Sequence, residues 1–117
     1  MPKKIHQAEL VENRIVVWNL ESSRKIFSDG YFGKPLGVSK PKGDDFDAPL
    51  ILDLIEGYYL LEKKKIKILD NETGKVVSKR KLHEKCEKEH TLFKQKLMVY
   101  NELRRLGYIV TPGIKFG

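Results

Sequence analysis

The chain opens on alternation. In residues 8–18, AELVENRIVVW, two short β-rich runs flank Glu12-Asn13, which predicts a hairpin with a two-residue turn. The period then lengthens. LESSRKIFSD reads as a short helix capped by Asn19, with Glu21 in its first turn, Gly30 as its C′ residue and Leu20, Ile26 and Phe27 as its buried side. Residues 31–49 interleave Gly33, Gly37 and Gly43 with Pro35 and Pro41 and read as a loop. Asp53 and Glu56 make a capping-box pattern at the head of DLIEGYYLLEKKK. Leu54, Ile55, Tyr58, Tyr59, Leu60 and Leu61 cover a wide apolar arc there, so this is the expected central helix, with Lys63, Lys64 and Lys65 in its last turn.

IKILD alternates again, NETG supplies turn chemistry through Asn71 and Gly74, and KVV returns as a second hairpin. Ser78 caps a helix through KRKLHEKCEKE, and Val77, Leu82, Cys86 and Phe93 keep to one apolar side. A longer amphipathic helix is expected from Thr91 to about Leu106. Leu92, Val99, Leu103 and Leu106 line one stripe, Phe93, Leu97 and Tyr100 widen it, and Arg104 and Arg105 precede the terminating Gly107. YIVTPGIKFG then reads as two short strands around a Pro-Gly turn. Such a hairpin is marginal alone and expects further strands, from residues not in this chain, from another chain, or from an earlier hairpin.

Composition narrows the classes. In 117 residues, 40% are hydrophobic and 33% charged, enough for one domain, or two very small ones, with a modest core and a highly charged surface. No apolar run approaches the roughly 18 residues of a membrane span, and MPKKIHQAEL lacks the apolar core of a secretory signal, so no membrane is expected. A single cysteine, Cys86, excludes a disulfide framework and a Cys-rich zinc site and points to an intracellular, cytoplasmic setting. The net charge of +7 favours an anionic partner, RNA or DNA first. The same composition also suits the ion-pair-rich surface of a heat-adapted protein.

Catalytic and metal patterns are thin. The loop glycines fit neither GxxxxGK[ST] nor GxGxxG, and there is no GxSxG. His83 and His90 are seven apart, too far for an i, i+4 metal pair, and His6 lies in an expected frayed terminus. Asp44, Asp45 and Asp47 cluster on the loop, a poor support for paired-carboxylate catalysis. No metal and no cofactor are expected. What survives is basic surface: Lys63, Lys64, Lys65, Lys79, Arg80, Lys81, Arg104 and Arg105 are candidate phosphate contacts, with the solvated helix end as the plainer account of each. Few aromatics sit near them, so backbone and shape recognition of helical RNA is the expected mode.

Three segments, in this order, resemble the archaeal tRNA-splicing endonucleases (tRNA-intron endonucleases): SSRKIFSDGYFGKPLG, LILDLIEGYYLLEKKKIKIL and VYNELRRLGYIVTPGIKFG. The resemblance covers nearly all of the chain. It implies an α+β architecture: over residues 1–88 an N-terminal domain of short antiparallel strands packed with three helices, then over 89–117 a long helix and terminal β-hairpin that begin a catalytic-type α/β domain. It implies metal-independent cleavage of precursor tRNA at a bulge-helix-bulge, giving a 2′,3′-cyclic phosphate and a 5′-hydroxyl. In the family the catalytic Tyr, His and Lys lie beyond the segment matched by GIKFG, so no residue here inherits those roles. The expectation is a non-catalytic or structural part, whether a split subunit or a truncated chain, whose partner is a catalytic chain or another copy of itself, with precursor tRNA as substrate. Two rivals remain: a stand-alone basic RNA-binding or interaction module, and an independent nuclease using His83 or His90.

Overall fold

The computed structural model describes residues 5–38 and 45–110. Nine elements follow in order: β1 (His6–Val11), β2 (Arg14–Val17), α1 (Leu20–Gly30), β3 (Lys34–Pro35), β4 (Leu50–Leu52), α2 (Leu54–Glu62), β5 (Ile66–Asp70), α3 (Lys79–Glu89) and α4 (Phe93–Arg105). The strands form one sheet in the order β3-β4-β2-β1-β5. The α+β class read from the sequence holds.

The opening hairpin forms as its pattern predicts. Val11 pairs with Arg14 across a Glu12-Asn13 turn in which Glu12 takes φ 55. The sheet is mixed rather than wholly antiparallel, because β5 runs parallel to β1 from His6↔Ile66 to Leu10↔Asp70. His6 is therefore the first residue of a paired strand, not a frayed end. The second hairpin is reduced to one bridge, Leu69↔Val76, with Gly74 at φ 72 in its turn. Two strands lie where only loop or helix lead-in is legible. Leu50–Leu52 pairs antiparallel with β2, and Lys34–Pro35 pairs with β4 inside the Gly/Pro stretch. Lys40, Lys42, Gly43 and Asp44 fall outside the described residues.

Helix boundaries follow local chemistry. Asn19 caps α1 by accepting the Ser22 N–H at 2.8 Å. Gly30 is the last helical residue, and Tyr31 takes the left-handed position, φ 56, in its place. Leu20 is exposed, and Ser23 is buried instead: its Oγ donates to the Val17 carbonyl at 2.7 Å and accepts the Leu50 N–H at 3.1 Å, tying α1 to β2 and β4. Asp53 and Glu56 complete the capping box of α2. The core joins Ile15 and Val17 of β2, Leu50 and Leu52 of β4, and Ile66 and Ile68 of β5 to Ile26 and Phe27 of α1, Leu54, Tyr58 and Leu60 of α2, and Leu82 and Cys86 of α3. Gly57 lets α2 approach the sheet closely: a Cβ there would lie 2.0 Å from Ile15 Cδ1.

At the far end, α4 begins at Phe93 after Leu92 in a left-handed conformation with no side-chain cap. Phe93 and Tyr100 carry its buried side, edge-on to Tyr58 and Tyr59 of α2 respectively. The predicted stripe does not face the core: Leu92, Val99 and Leu106 are 63%, 58% and 57% exposed. Tyr108–Val110 is not a strand, and the second arm of the expected hairpin lies outside the described residues.

Candidate functional site

The lysines after α2 do not complete its last turn. The helix ends at Glu62, and Lys63, Lys64 and Lys65 make the turn into β5, Lys64 at φ 59. Lys63 Nζ lies 5.6 Å from the centre of the Tyr59 ring. An ion pair of 3.6 Å between Lys79 and Glu62 sets the start of α3 beside the end of α2. Six of the eight predicted cations, Lys63, Lys64, Lys65, Lys79, Arg80 and Lys81, thus belong to one end of the α2–α3 pair. Lys79, Arg80 and Lys81 occupy the first turn of α3, which contains no acidic residue. Cations there oppose the positive end of the helix dipole, at roughly 0.3–1 kcal/mol each. Glu62 and Glu84, the latter 3.7 Å from Arg80, offset part of that.

Lys64 and Lys65 also line a cleft of about 1030 Å³, between α1 and the turn after α2. His6, Arg24 and Lys25 face the same space, three residues that sequence reasoning did not single out as charge-bearing partners. The parallel β1–β5 pairing brings His6 to Lys65, its N–H donating to the Lys65 carbonyl at 3.0 Å, while Arg24 and Lys25 reach the cleft from α1. The cleft is mixed in charge. Arg24 pairs with Asp47 at 2.7 Å, Lys25 with Asp29 at 3.8 Å, and His6 Nδ1 meets Ser22 Oγ at 2.9 Å. Asp45 also lines it.

Arg104 and Arg105 stand apart from this cluster. Arg105 is paired with Glu102 one turn back, and that bond holds the Glu102 carboxyl below its ordinary range. Arg104 is committed inward. Its guanidinium donates to the Gly30 carbonyl at 2.6 Å, the Val110 carbonyl at 3.3 Å and the Tyr100 hydroxyl at 3.2 Å, and lies 4.0 Å above the Phe32 ring. Beside it is Glu56, whose carboxylate accepts the Gly33 N–H at 2.7 Å and the Asp53 N–H at 3.0 Å. Burial pushes the Glu56 carboxyl up to about 7, against the pull of those two donors and of Arg104. Burial likewise raises the Tyr100 phenol above its ordinary value, with Glu56 adding to the rise.

Along α4, Met98, Val99 and, just past its end, Leu106 are exposed, as is Leu92 before it. A groove of about 300 Å³ is lined by Ile55, Leu92, Val99, Tyr100, Leu103 and Val110. Tyr108 and Ile109, each 61% exposed, follow the helix.

The histidines have structural settings. His83 Nδ1 is 2.7 Å from Glu87, with its ring edge-on to Tyr58 and Phe93, and His90 Nε2 is 3.9 Å from Asp53. Cys86 is fully buried, and burial pushes its thiol up to about 12. Among the described residues no three His, Cys, Asp or Glu side chains gather as a metal site, and no helix is long and apolar enough to cross a membrane.

Known proteins resemble this chain over most of its length. It is 40% identical over 111 residues to a tRNA-splicing endonuclease of Hyperthermus butylicus, covering 95% of this chain and 61% of that protein. A tRNA-splicing endonuclease of Sulfurisphaera tokodaii is 41% identical over 110 residues, covering 93% and 60% respectively. One from Saccharolobus islandicus is 42% identical over 112 residues, covering 95% and 61%. The chain spans about three-fifths of the length of these curated relatives. Residues 6–83, which hold the whole sheet, α1, α2 and the first turns of α3, match the tRNA intron endonuclease N-terminal domain, and the chain belongs to that family.

Proposed function

We propose that the chain is a non-catalytic, structural part of a tRNA-splicing endonuclease that supports assembly with a chain carrying the catalytic residues, which cleaves precursor tRNA at bulge-helix-bulge introns. The carrying observation is the outward face of α4. Leu92, Val99, Leu103 and Leu106 keep a helical apolar spacing, yet Leu92, Val99 and Leu106 are more than half exposed, and only Leu103 is partly covered. A contiguous apolar face of this kind marks a contact surface. In this reading residues 1–88 are the family domain and 89–117 begin the next one, with α4 shared between them: Phe93 and Tyr100 bury inward while the stripe awaits a partner, either a catalytic chain or a second copy.

The experiment is reconstitution. The purified chain alone leaves bulge-helix-bulge RNA intact. Mixed with a catalytic chain of an archaeal tRNA-splicing endonuclease, it co-elutes as a larger species and the mixture yields 2′,3′-cyclic phosphate ends. Cleavage by the chain alone, or a failure to co-elute, overturns the reading.

A second reading, a stand-alone basic RNA-binding module, is favoured by the cations in the first turn of α3. A sequence optimised only for stability would place acids there. Under either reading we assign the RNA-facing surface to Lys63, Lys64, Lys65, Lys79, Arg80 and Lys81. The triple variant K79A/R80A/K81A should weaken binding of duplex RNA and flatten its salt dependence by about one unit for each phosphate it no longer neutralises. Light scattering separates the readings: a monodisperse monomer that binds RNA with no partner supports the module.

A further inference from the structure

We propose that Glu56 and Arg104 form a proton-sensitive bracket that fixes α4, and the chain leaving it at Val110, against the α1–α2 unit. The bracket closes on the turn at residues 30–33 from two sides. From α2, Glu56 holds the Gly33 N–H; from α4, Arg104 holds the Gly30 carbonyl and covers the Phe32 ring. The same guanidinium reaches the Val110 carbonyl, so one side chain ties the end of α1 to the exit from α4. Gly33 fits this turn for two reasons: it takes φ 71, and a Cβ would lie 2.6 Å from the Ile51 carbonyl oxygen.

The proton sensitivity follows from what Glu56 does in each state. As a carboxylate it gives one charged oxygen to the Gly33 N–H and the other to the Asp53 N–H, with the Arg104 charge nearby. Protonation weakens both N–H bonds and takes the anionic counterpart from the half-buried Arg104, but it also removes the larger cost of burying the charge, so the closed bracket favours the protonated state and loosens as pH rises through the midpoint. The other ionisable groups around it are known. Asp53 on α2 opposes ionisation of Glu56; Tyr100 on α4 faces both Glu56 and Arg104; and Tyr59 packs edge-on to Tyr100. His90 lies 3.9 Å from Asp53, and the Cys86 thiol also feels the Asp53 charge. The midpoint near 7 places the change where small shifts of pH act.

An NMR pH titration of the 117-residue protein tests this. In the wild type the amides of Gly33 and Asp53, the Arg104 Nε–H and the amides of residues 108–110 move together, with one midpoint near 7. Glu56→Gln abolishes the shared transition. Arg104→Gln moves the Gly33 midpoint upward, because a neighbouring cation has been removed, and uncouples residues 108–110. His90 pairs with Asp53, which faces Glu56, so His90→Gln serves as the control and leaves the Gly33 midpoint in place. The proposal is overturned if residues 108–110 stay still while Gly33 titrates, or if Arg104→Gln leaves the midpoint unchanged. The second outcome decides the matter even if Glu56→Gln fails to fold.

Discussion

Glu56 carries a stability signature that falls within the ordinary pH range. Its carboxyl moves from 4.5 to about 7 on burial, so the folded chain holds a proton that the unfolded chain releases. The stabilisation is full below about pH 4.5 and is lost as pH rises through 7, a change on the order of 3 kcal/mol. Chemical denaturation at pH 5.5 and pH 8.5 should show the wild type losing stability with rising pH, and Glu56→Gln should lose that part of the slope. Cys86 gives a second residue-scale test. With its thiol buried and pushed up to about 12, it should react with a thiol reagent only as fast as the protein unfolds, and at once in denaturant. Both residues show the limits of pattern reading. Cys86 was legible as a core residue because it falls at helical spacing among Val77, Leu82 and Phe93. Glu56 was legible as a cap, but its burial comes from the turn at residues 30–33 and from α4, which no local pattern reports.

Between elements, Gly57 marks a close approach of α2 to β2. Ala ordinarily stabilises a helix interior by about 1 kcal/mol over Gly. Gly57→Ala should instead destabilise by about 1–3 kcal/mol, because the new methyl meets Ile15 Cδ1 in a full core. Ile15→Val deletes that atom, so the double variant should recover most of the loss, and additive effects in urea melts would reject this explanation of the close approach. The start of α4 offers the opposite case. Leu92 holds a left-handed conformation that suits Asn better, and its side chain is exposed, so Leu92→Asn should hold or raise stability by a few tenths of a kcal/mol. Elements with strong local punctuation were legible: the Glu12-Asn13 hairpin, and the caps at Asn19, Asp53 and Ser78. The strands β3 and β4 were not. They are two and three residues long, and they exist because β2 presents an edge to Leu50–Leu52 and β4 presents one to Lys34–Pro35.

For the whole molecule, the question is which surfaces are finished. The predicted basic residues divide by tertiary context: six share the end of the α2–α3 pair, while Arg104 turns inward and Arg105 pairs along its own helix. Charge content alone does not separate those fates, because a guanidinium over Phe32 and a solvated one read alike in a sequence. The α4 stripe was legible as a stripe, but its direction was not, since Phe93 and Tyr100 compete for the inward side and fill it with larger aromatic area. Val99→Asp, on the exposed side, should leave the melting temperature of the isolated chain within a degree or two and abolish co-elution with a catalytic chain.

The parallel pairing of β1 with β5 has a consequence during synthesis. His6 and Ile66, the first partners in that ladder, are 60 residues apart. A ribosome must therefore extrude the chain through Asp70 before the first strand gains its second neighbour, an interval on the order of 10 s during which the nascent hairpin keeps a bare edge. Translational pausing ahead of that point would prolong the stage at which the newborn polypeptide is most open to pairing with the wrong strand.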